Sequence, residues 1–230
     1  MSREVIASLE NVKKDFLGQP VLHGIDLAVE RGETMIITGQ SGSGKSTCLR
    51  TFADLEHPSS GKVSLFGKSL DDLSAKEKAR IIADKVSYAQ QDPNLDTGLS
   101  VFLNLTLTTR SIRHDLSRAD IRNRASSIAS FFGIRHLLDR AADKTLSGGE
   151  RAKVAIGRAL VKRPEIVFLD EPTGSVDPSG KVEIFEKLSQ IKEEEGLTLV
   201  VVTHDLDQVR AFADREVVIE SGKIVAETAA

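Results

Sequence analysis

Gly39-Gln40-Ser41-Gly42-Ser43-Gly44-Lys45-Ser46-Thr47 is the stretch on which the fold turns. Just before it, Met35-Ile36-Ile37 is an apolar run that predicts the end of a buried strand. Just after it, Cys48, Leu49 and Phe52 recur at the spacing of an amphipathic helix. Between a strand and a helix, glycines at this spacing let successive backbone N–H groups turn inward around a phosphate with no Cβ in the way. Lys45 is then placed to neutralise β- and γ-phosphate oxygens, Ser46 offers a hydroxyl to Mg²⁺, and the opening helix points its positive end at the same anion. The stretch therefore predicts a nucleoside triphosphate site on an α/β sheet.

Length and composition set bounds around that site. A chain of 230 residues makes one large α/β domain or two small ones, and at this size roughly 70% of the unfolded surface is buried on folding. The formal net charge of -3, with neither a basic excess nor a basic stripe, carries no strong message about nucleic acid or anionic lipid as a partner. The single cysteine, Cys48, cannot form an internal disulfide or a zinc site and reads as a small packed side chain, as suits a reducing cytoplasm. Met1 to Glu10 lacks an apolar run flanked by positive charge, and no stretch approaches the ~20 apolar residues of a membrane span. The expectation is a soluble chain, with another chain supplying any membrane spans.

Outward from the phosphate loop, Ile6 to Val29 alternates apolar and polar residues and breaks at Gly18-Gln19-Pro20, which predicts antiparallel strands joined by a turn; Gly61 to Phe66 reads the same way. Ser74 to Ala83 is helical in pattern, and Val86 to Ala89 is a short strand stopped before Pro93. Residues 99 to 145 change character. They lack β-branched runs, carry helical periodicity, and include a capping-box start at Ser117-Arg118-Ala119-Asp120, with Ile121, Ala125, Ile128 and Phe132 on one face and Gly133 placed to end the helix. Beyond them come a helix near Glu150 to Leu160, a buried strand Ile166 to Leu169, a helix from about Lys181 to Glu194, and a buried strand Leu197 to Val202. The charge run Lys192 to Glu195 reads as a solvated helix end. Continuous apolar strands alternating with helices predict a parallel sheet covered on both faces.

The remaining chemistry falls at strand ends. Asp170-Glu171 follows a buried strand, so both acids emerge beside the phosphate loop: Asp170 to hold Mg²⁺, Glu171 to polarise the water that attacks the γ-phosphate. Thr203-His204-Asp205 follows the next strand, and His204 is expected to orient that water.

In this order and over nearly the whole chain, the phosphate loop, Gln91, Leu146-Ser147-Gly148-Gly149-Glu150, Asp170-Glu171, Ser175-Val176-Asp177 and His204 resemble the nucleotide-binding subunits of ABC transporters. The resemblance implies an α/β P-loop NTPase with a parallel core sheet, an N-terminal antiparallel β subdomain and an inserted α-helical subdomain. The domain would be single, with residues 1–90 and 150–230 forming the core and 91–149 the helical part. It implies an ATP hydrolase with ATP and Mg²⁺ as cofactors and Gly39 to Thr47 as the phosphate loop. Phe16, in the place of an adenine-stacking aromatic, and Val21 would line the base. Ser46, Gln91 and Asp170 would serve the metal, Glu171 and His204 catalysis, and Gln91 and Asp177 coupling. Leu146 to Glu150 would complete the ATP site of a second copy of the chain, and a membrane permease would hold the pair at the cytoplasmic face. Three departures are Gln90 where an aromatic is common, Val176 for Leu and Lys153 for Arg. The segment Leu73 to Ala79, Glu150-Arg151, the run through Gly174 and the end at residue 230 resemble the macrolide-exporter and lipoprotein-release class, with importers and a cell-division regulator as neighbouring classes. An apolar segment, Asn94, Leu95, Leu99, Val101, Phe102 and Leu105, is the expected docking surface for the permease. One cysteine and no heptads exclude the DNA-repair and chromosome types of this ATPase.

Overall fold

The structure, a computed structural model, describes residues 4–92, 94–113, 115–204 and 209–229. Two sheets carry it. The first is antiparallel, in the order β2-β1-β4-β5: β1 (Val5–Phe16), β2 (Gln19–Glu30), β4 (Ser60–Leu65) and the two-residue β5 (Lys68–Ser69). The second runs β10-β9-β3-β8-β7-β6, from β3 (Thr34–Thr38), β6 (Val86–Ala89), β7 (Ile166–Asp170), β8 (Thr198–Val202), β9 (Arg215–Glu220) and β10 (Lys223–Ala229). All its neighbours are parallel except β10, which returns antiparallel to β9.

Every residue of β3, β7 and β8 is buried, which is why these strands read as unbroken apolar runs. Their side chains alternate between two cores. Met35, Ile37, Phe168, Val200 and Val202 face the antiparallel sheet and α1 (Lys45–Phe52), where Phe52 stacks on Phe168 at 5.8 Å. Ile36, Val167, Leu169, Leu199 and Val201 face α5 (Gly148–Val161), α6 (Pro178–Glu195) and the helical stretch between β6 and α5. Cys48 lies in the first core, fully buried.

That helical stretch contains α3 (Val101–Ile112) and α4 (Arg118–Phe131), both packed on α5. Ser117 and Asp120 form the expected capping box, Ser74 and Glu77 form another at the start of α2 (Ala75–Lys85), and the expected apolar face of α4 is buried. Leu95, Val101 and Leu105 are buried too. Those three fix α3 to the core, while Asn94 is exposed and Leu99 and Phe102 are partly buried, so only part of the segment is left for docking.

Other differences have local causes. The chain reverses at Leu17-Gly18, with Gln19 and Pro20 already in β2; proline is tolerated there because β2 is an edge strand. The helix read from Lys181 starts at Pro178, because Asp177 caps it and proline suits the first helical position. The Lys192 to Glu195 run is not simply solvated: Lys192 pairs with Asp214 at 2.6 Å and Glu195 with Arg124 at 2.6 Å. Sequence reading missed β9 and β10, although Val217-Val218-Ile219 before Ser221-Gly222 is a hairpin signal. Pro93 and Asp205 lie outside the described residues.

Candidate nucleotide and metal site

Parallel strands deliver their C-terminal ends to one edge of a sheet. Here β3 delivers the phosphate loop, β6 leads to Gln91, β7 ends at Asp170 and β8 leads to His204, and Ile37 and Asp170 both pair with Val202. Residues distant in sequence thus converge with little freedom.

The phosphate loop is tightly built. Gly39 has φ +139°, and a Cβ there would stand 2.0 Å from the Ile219 carbonyl oxygen of β9, so only glycine fits. Lys45 is buried and its Nζ donates to the carbonyls of Gly39 and Gln40, both at 2.8 Å, across the loop it follows. Ser43 Oγ is buried without a hydrogen-bond partner, and Gln40 to Ser43 line a cavity of about 170 Å³ with Glu220 and Ser221. Loop backbone, the orphaned Ser43 hydroxyl and the Lys45 ammonium held on the loop's own carbonyls are groups that fit a phosphate anion.

Beside it lies a pair of oxygen donors. Ser46 Oγ donates to Asp170 Oδ1 at 2.8 Å, and Asp170 is 3% exposed. Two adjacent oxygen donors suit Mg²⁺, which takes few protein ligands and completes its shell with water and phosphate oxygens. The other oxygen, Oδ2, accepts from Tyr88 Oη at 2.8 Å and lies 3.9 Å from Arg50 Nη2. Burial first, and then the Asp170 charge, push the Tyr88 phenol well above its ordinary range, so it stays a donor. Sequence reading passed over Tyr88 and Arg50; a tyrosine in a short buried strand, whose hydroxyl needs a partner, was the available signal.

Glu171 has its own partners. Gln91 Nε2 donates to its Oε2 at 3.0 Å, and His204 Nδ1 lies 3.2 Å from the same oxygen. Gln91 is therefore engaged with the second acid and not with the Ser46–Asp170 pair. The three side chains expected around an attacking water are brought together.

The remaining expected residues divide. Val21 and Leu22 of β2 back onto the loop: a Cβ on Gly44 would meet Leu22 Cδ2 at 2.9 Å and the Val21 carbonyl at 3.2 Å. Phe16 is 42% exposed at the end of β1, with Lys14 Nζ 4.8 Å from its ring centroid, so it is no core residue. Leu146 is buried in the core, which removes it from any exposed surface. Ser147 is exposed and caps α5: its Oγ accepts the Glu150 N–H, while Glu150 Oε2 accepts the Ser147 N–H at 2.7 Å. These bonds, with the Ser147 backbone N–H first, hold Glu150 below the usual carboxylate range. Gly148 and Gly149 occupy the first turn, where N–H groups have no intrahelical acceptor. A Cβ on Gly148 would meet the Ser175 carbonyl at 2.2 Å, so the loop 175–177 lies against this helix start. Asp177 accepts from Gly180 N at 3.0 Å and Ser179 Oγ at 2.6 Å, capping α6.

The family described as ABC transporter matches residues 22–174. The chain belongs to the ABC transporter family. It is the ATP-hydrolysing motor subunit type of that family, and ATP with Mg²⁺ is what the site takes. It is 37% identical over 232 residues to the ABC transporter ATP-binding protein YbbA of Escherichia coli, covering 99% of this chain and 100% of YbbA. The lipoprotein-releasing system ATP-binding protein LolD 2 of Caulobacter vibrioides is 36% identical, over 97% of this chain and 98% of that one. The methionine import ATP-binding protein MetN 1 of Acinetobacter baylyi is 36% identical over 89% of this chain, which spans only 56% of MetN 1. Among solved structures, the ATP-binding cassette MJ0796 in a dimeric post-hydrolysis state bound to ADP and Pi superposes with a TM-score of 0.88 at 32% identity, over 97% of this chain and 98% of that one. No described helix is long and apolar enough to cross a membrane.

Proposed function

We propose that this ABC subunit drives export or substrate extraction by a separate membrane permease, working as a pair of copies at the cytoplasmic face. The carrying observation is the convergence of Lys45, Ser46–Asp170 and Gln91–Glu171–His204 on one sheet edge. Lys45 exchanges its two loop carbonyls for phosphate oxygens, and Ser46 and Asp170 hold Mg²⁺, which when bound neutralises the β- and γ-phosphates. Glu171 polarises the water whose oxygen bonds to the γ-phosphorus as the bridge to ADP breaks; Gln91 and His204 hold its carboxylate in place. Catalysis is positioning plus charge neutralisation. Phe16 and Val21 form the base side of the pocket.

The second copy enters through Ser147, Gly148 and Gly149. An exposed, capped helix start with free N–H groups is an anion site that its own subunit does not use, and the dimeric cassette MJ0796 is similar to this chain. Residues 91–149 form the helical part of the single domain, and Asp177, beside the helix start, couples the two sites.

For the permease, the groove that favours docking lies between the end of α1, β6 and α3. It encloses about 270 Å³ and is lined by Ala53, Leu55, Ile82, Tyr88, Thr108 and Lys162, with Leu55 53% exposed. Export is supported by the likeness to a lipoprotein-releasing ATPase over nearly the full length of both chains and by the α2 segment. The likeness to methionine importers keeps import as the second reading. The test is reconstitution with the membrane protein encoded beside the gene. ATP-dependent release of cargo from the bilayer is expected; uptake assisted by a binding protein, or ATPase activity with no cargo moved, overturns the export reading.

A further inference from the structure

Asp170 has its two carboxylate oxygens assigned to different neighbours. Oδ1 faces Ser46, the metal side, and Oδ2 accepts from Tyr88. Tyr88 sits on β6 opposite Phe168 in the parallel register with β7, two residues short of Asp170, and its ring also lines the groove between α1, β6 and α3. Its hydroxyl thus sits on the carboxylate that faces Ser46. From this arrangement we propose that Tyr88 is a positioning residue for the metal site, fixing the rotation of the Asp170 carboxylate.

The physical argument is about what the carboxylate does without the phenol. A terminal carboxylate torsion is broad, so a bond to one oxygen is what directs the other. Removing the Tyr88 hydroxyl leaves Oδ2 with Arg50, 3.9 Å away and on a half-exposed, flexible side chain. A carboxylate drawn toward that guanidinium turns away from Ser46.

The inference rests on Asp170 being the metal-holding acid, and the experiment separates the two. Binding of a fluorescent ADP analogue to the full chain is titrated with Mg²⁺ in the parent, in Tyr88→Phe and in Asp170→Asn, and repeated in EDTA. Partners of metal ligands are worth about 10-fold or more in metal affinity, so Tyr88→Phe is expected to raise the Mg²⁺ midpoint by about that factor with EDTA binding unchanged. A parental midpoint in Tyr88→Phe overturns the proposal when Asp170→Asn does shift it; if neither shifts, the metal assignment of Asp170 has failed. Tyr88 is the chain's one tyrosine, and there is no tryptophan, so a label reports on it without substitution. With 3-fluorotyrosine incorporated, its fluorine resonance is expected to move when Mg²⁺ joins the ADP complex. A stationary resonance overturns the link even where Tyr88→Phe fails to fold.

Discussion

Gly148 and Gly149 are adjacent, both in the first turn of α5, yet the structure asks opposite things of them, and this gives a sharp test of the two-copy site. A Cβ on Gly148 would stand 2.2 Å from the Ser175 carbonyl oxygen, while one on Gly149 would meet Val176 Cγ1 at an ordinary 3.9 Å. Carbon and carbonyl oxygen approach to roughly 3.3 Å even in favourable contacts, so Gly148→Ala must open the helix start from the 175–177 loop by about 1 Å. Overpacking of that kind costs about 1–3 kcal/mol. At about 2–4 °C per kcal/mol for a chain of this size, the melting temperature should fall by several degrees. Gly149→Ala has no such clash, and alanine in place of a helical glycine gains up to about 1 kcal/mol. Gly149→Ala should therefore melt at or above the parent temperature. It should still lose ATP-driven association if, as proposed above, the N–H groups of this first turn receive a phosphate of the second copy, since a methyl group adds bulk beside them. Thermal melts of the monomer and size-exclusion with ATP read both quantities. The reasoning is refuted if Gly149→Ala melts as low as Gly148→Ala, or if it dimerises with ATP as the parent does.

Glu171→Gln keeps the shape seen by Gln91 and His204 but removes the charge; turnover should fall by about 10²-fold or more while nucleotide binding persists, as a steady-state ATPase assay and a binding titration will show. Lys45→Ala removes the cation of the phosphate loop, so nucleotide affinity of the monomer should drop with little change in melting, its two lost bonds being to loop carbonyls. Lys162 gives a pH signature. Burial, and then Arg113, bring its ammonium down to about 8, while it donates to the Ile82 carbonyl at 3.1 Å. The unfolded value is about 10.4, so between those two pH values the unfolded chain binds more protons and stability rises with pH, by at most about 1.4 kcal/mol per unit. Lys162→Met should flatten that rise, and denaturant melts at pH 7.5 and 9.5 that show the same gain in both proteins would contradict it.

Much of this was legible because the governing rules are local. The capping box at Ser117 is side-chain chemistry within four residues, and the core strands β3, β7 and β8 announce themselves by burial on both faces. The site residues were legible because each ends a strand and parallel strands end on one side. What was not legible depended on pairing in space. The Tyr88 bond to Asp170 spans 82 residues, and that register is set by the β6–β7 pairing. The clash that makes Gly39 obligatory comes from Ile219 in a strand that had not been read. Asn94 to Leu105 showed the limit of hydropathy: an apolar segment says that something covers it, and here α3 is covered largely by its own chain.

The two consecutive acids show how backbone strain assigns chemistry. On an extended strand neighbouring side chains point to opposite faces, which would send Asp170 and Glu171 apart. Instead Glu171 takes φ +46°, a left-handed conformation that glutamate adopts at a cost of about 1 kcal/mol or more. It is held there by its N–H on the Val202 carbonyl at 2.9 Å and by its own carbonyl accepting from Gly174 at 3.2 Å. The kink ends β7 directly after Asp170, so the first acid stays in the sheet with Ser46 and Tyr88. The second turns to Gln91 and His204. The strained residue, fixed by the neighbouring strand, thus decides where the second carboxylate goes. A glutamine at 171 inherits that backbone and tests the charge alone, whereas an alanine would change both the strain and the contacts and confound the two.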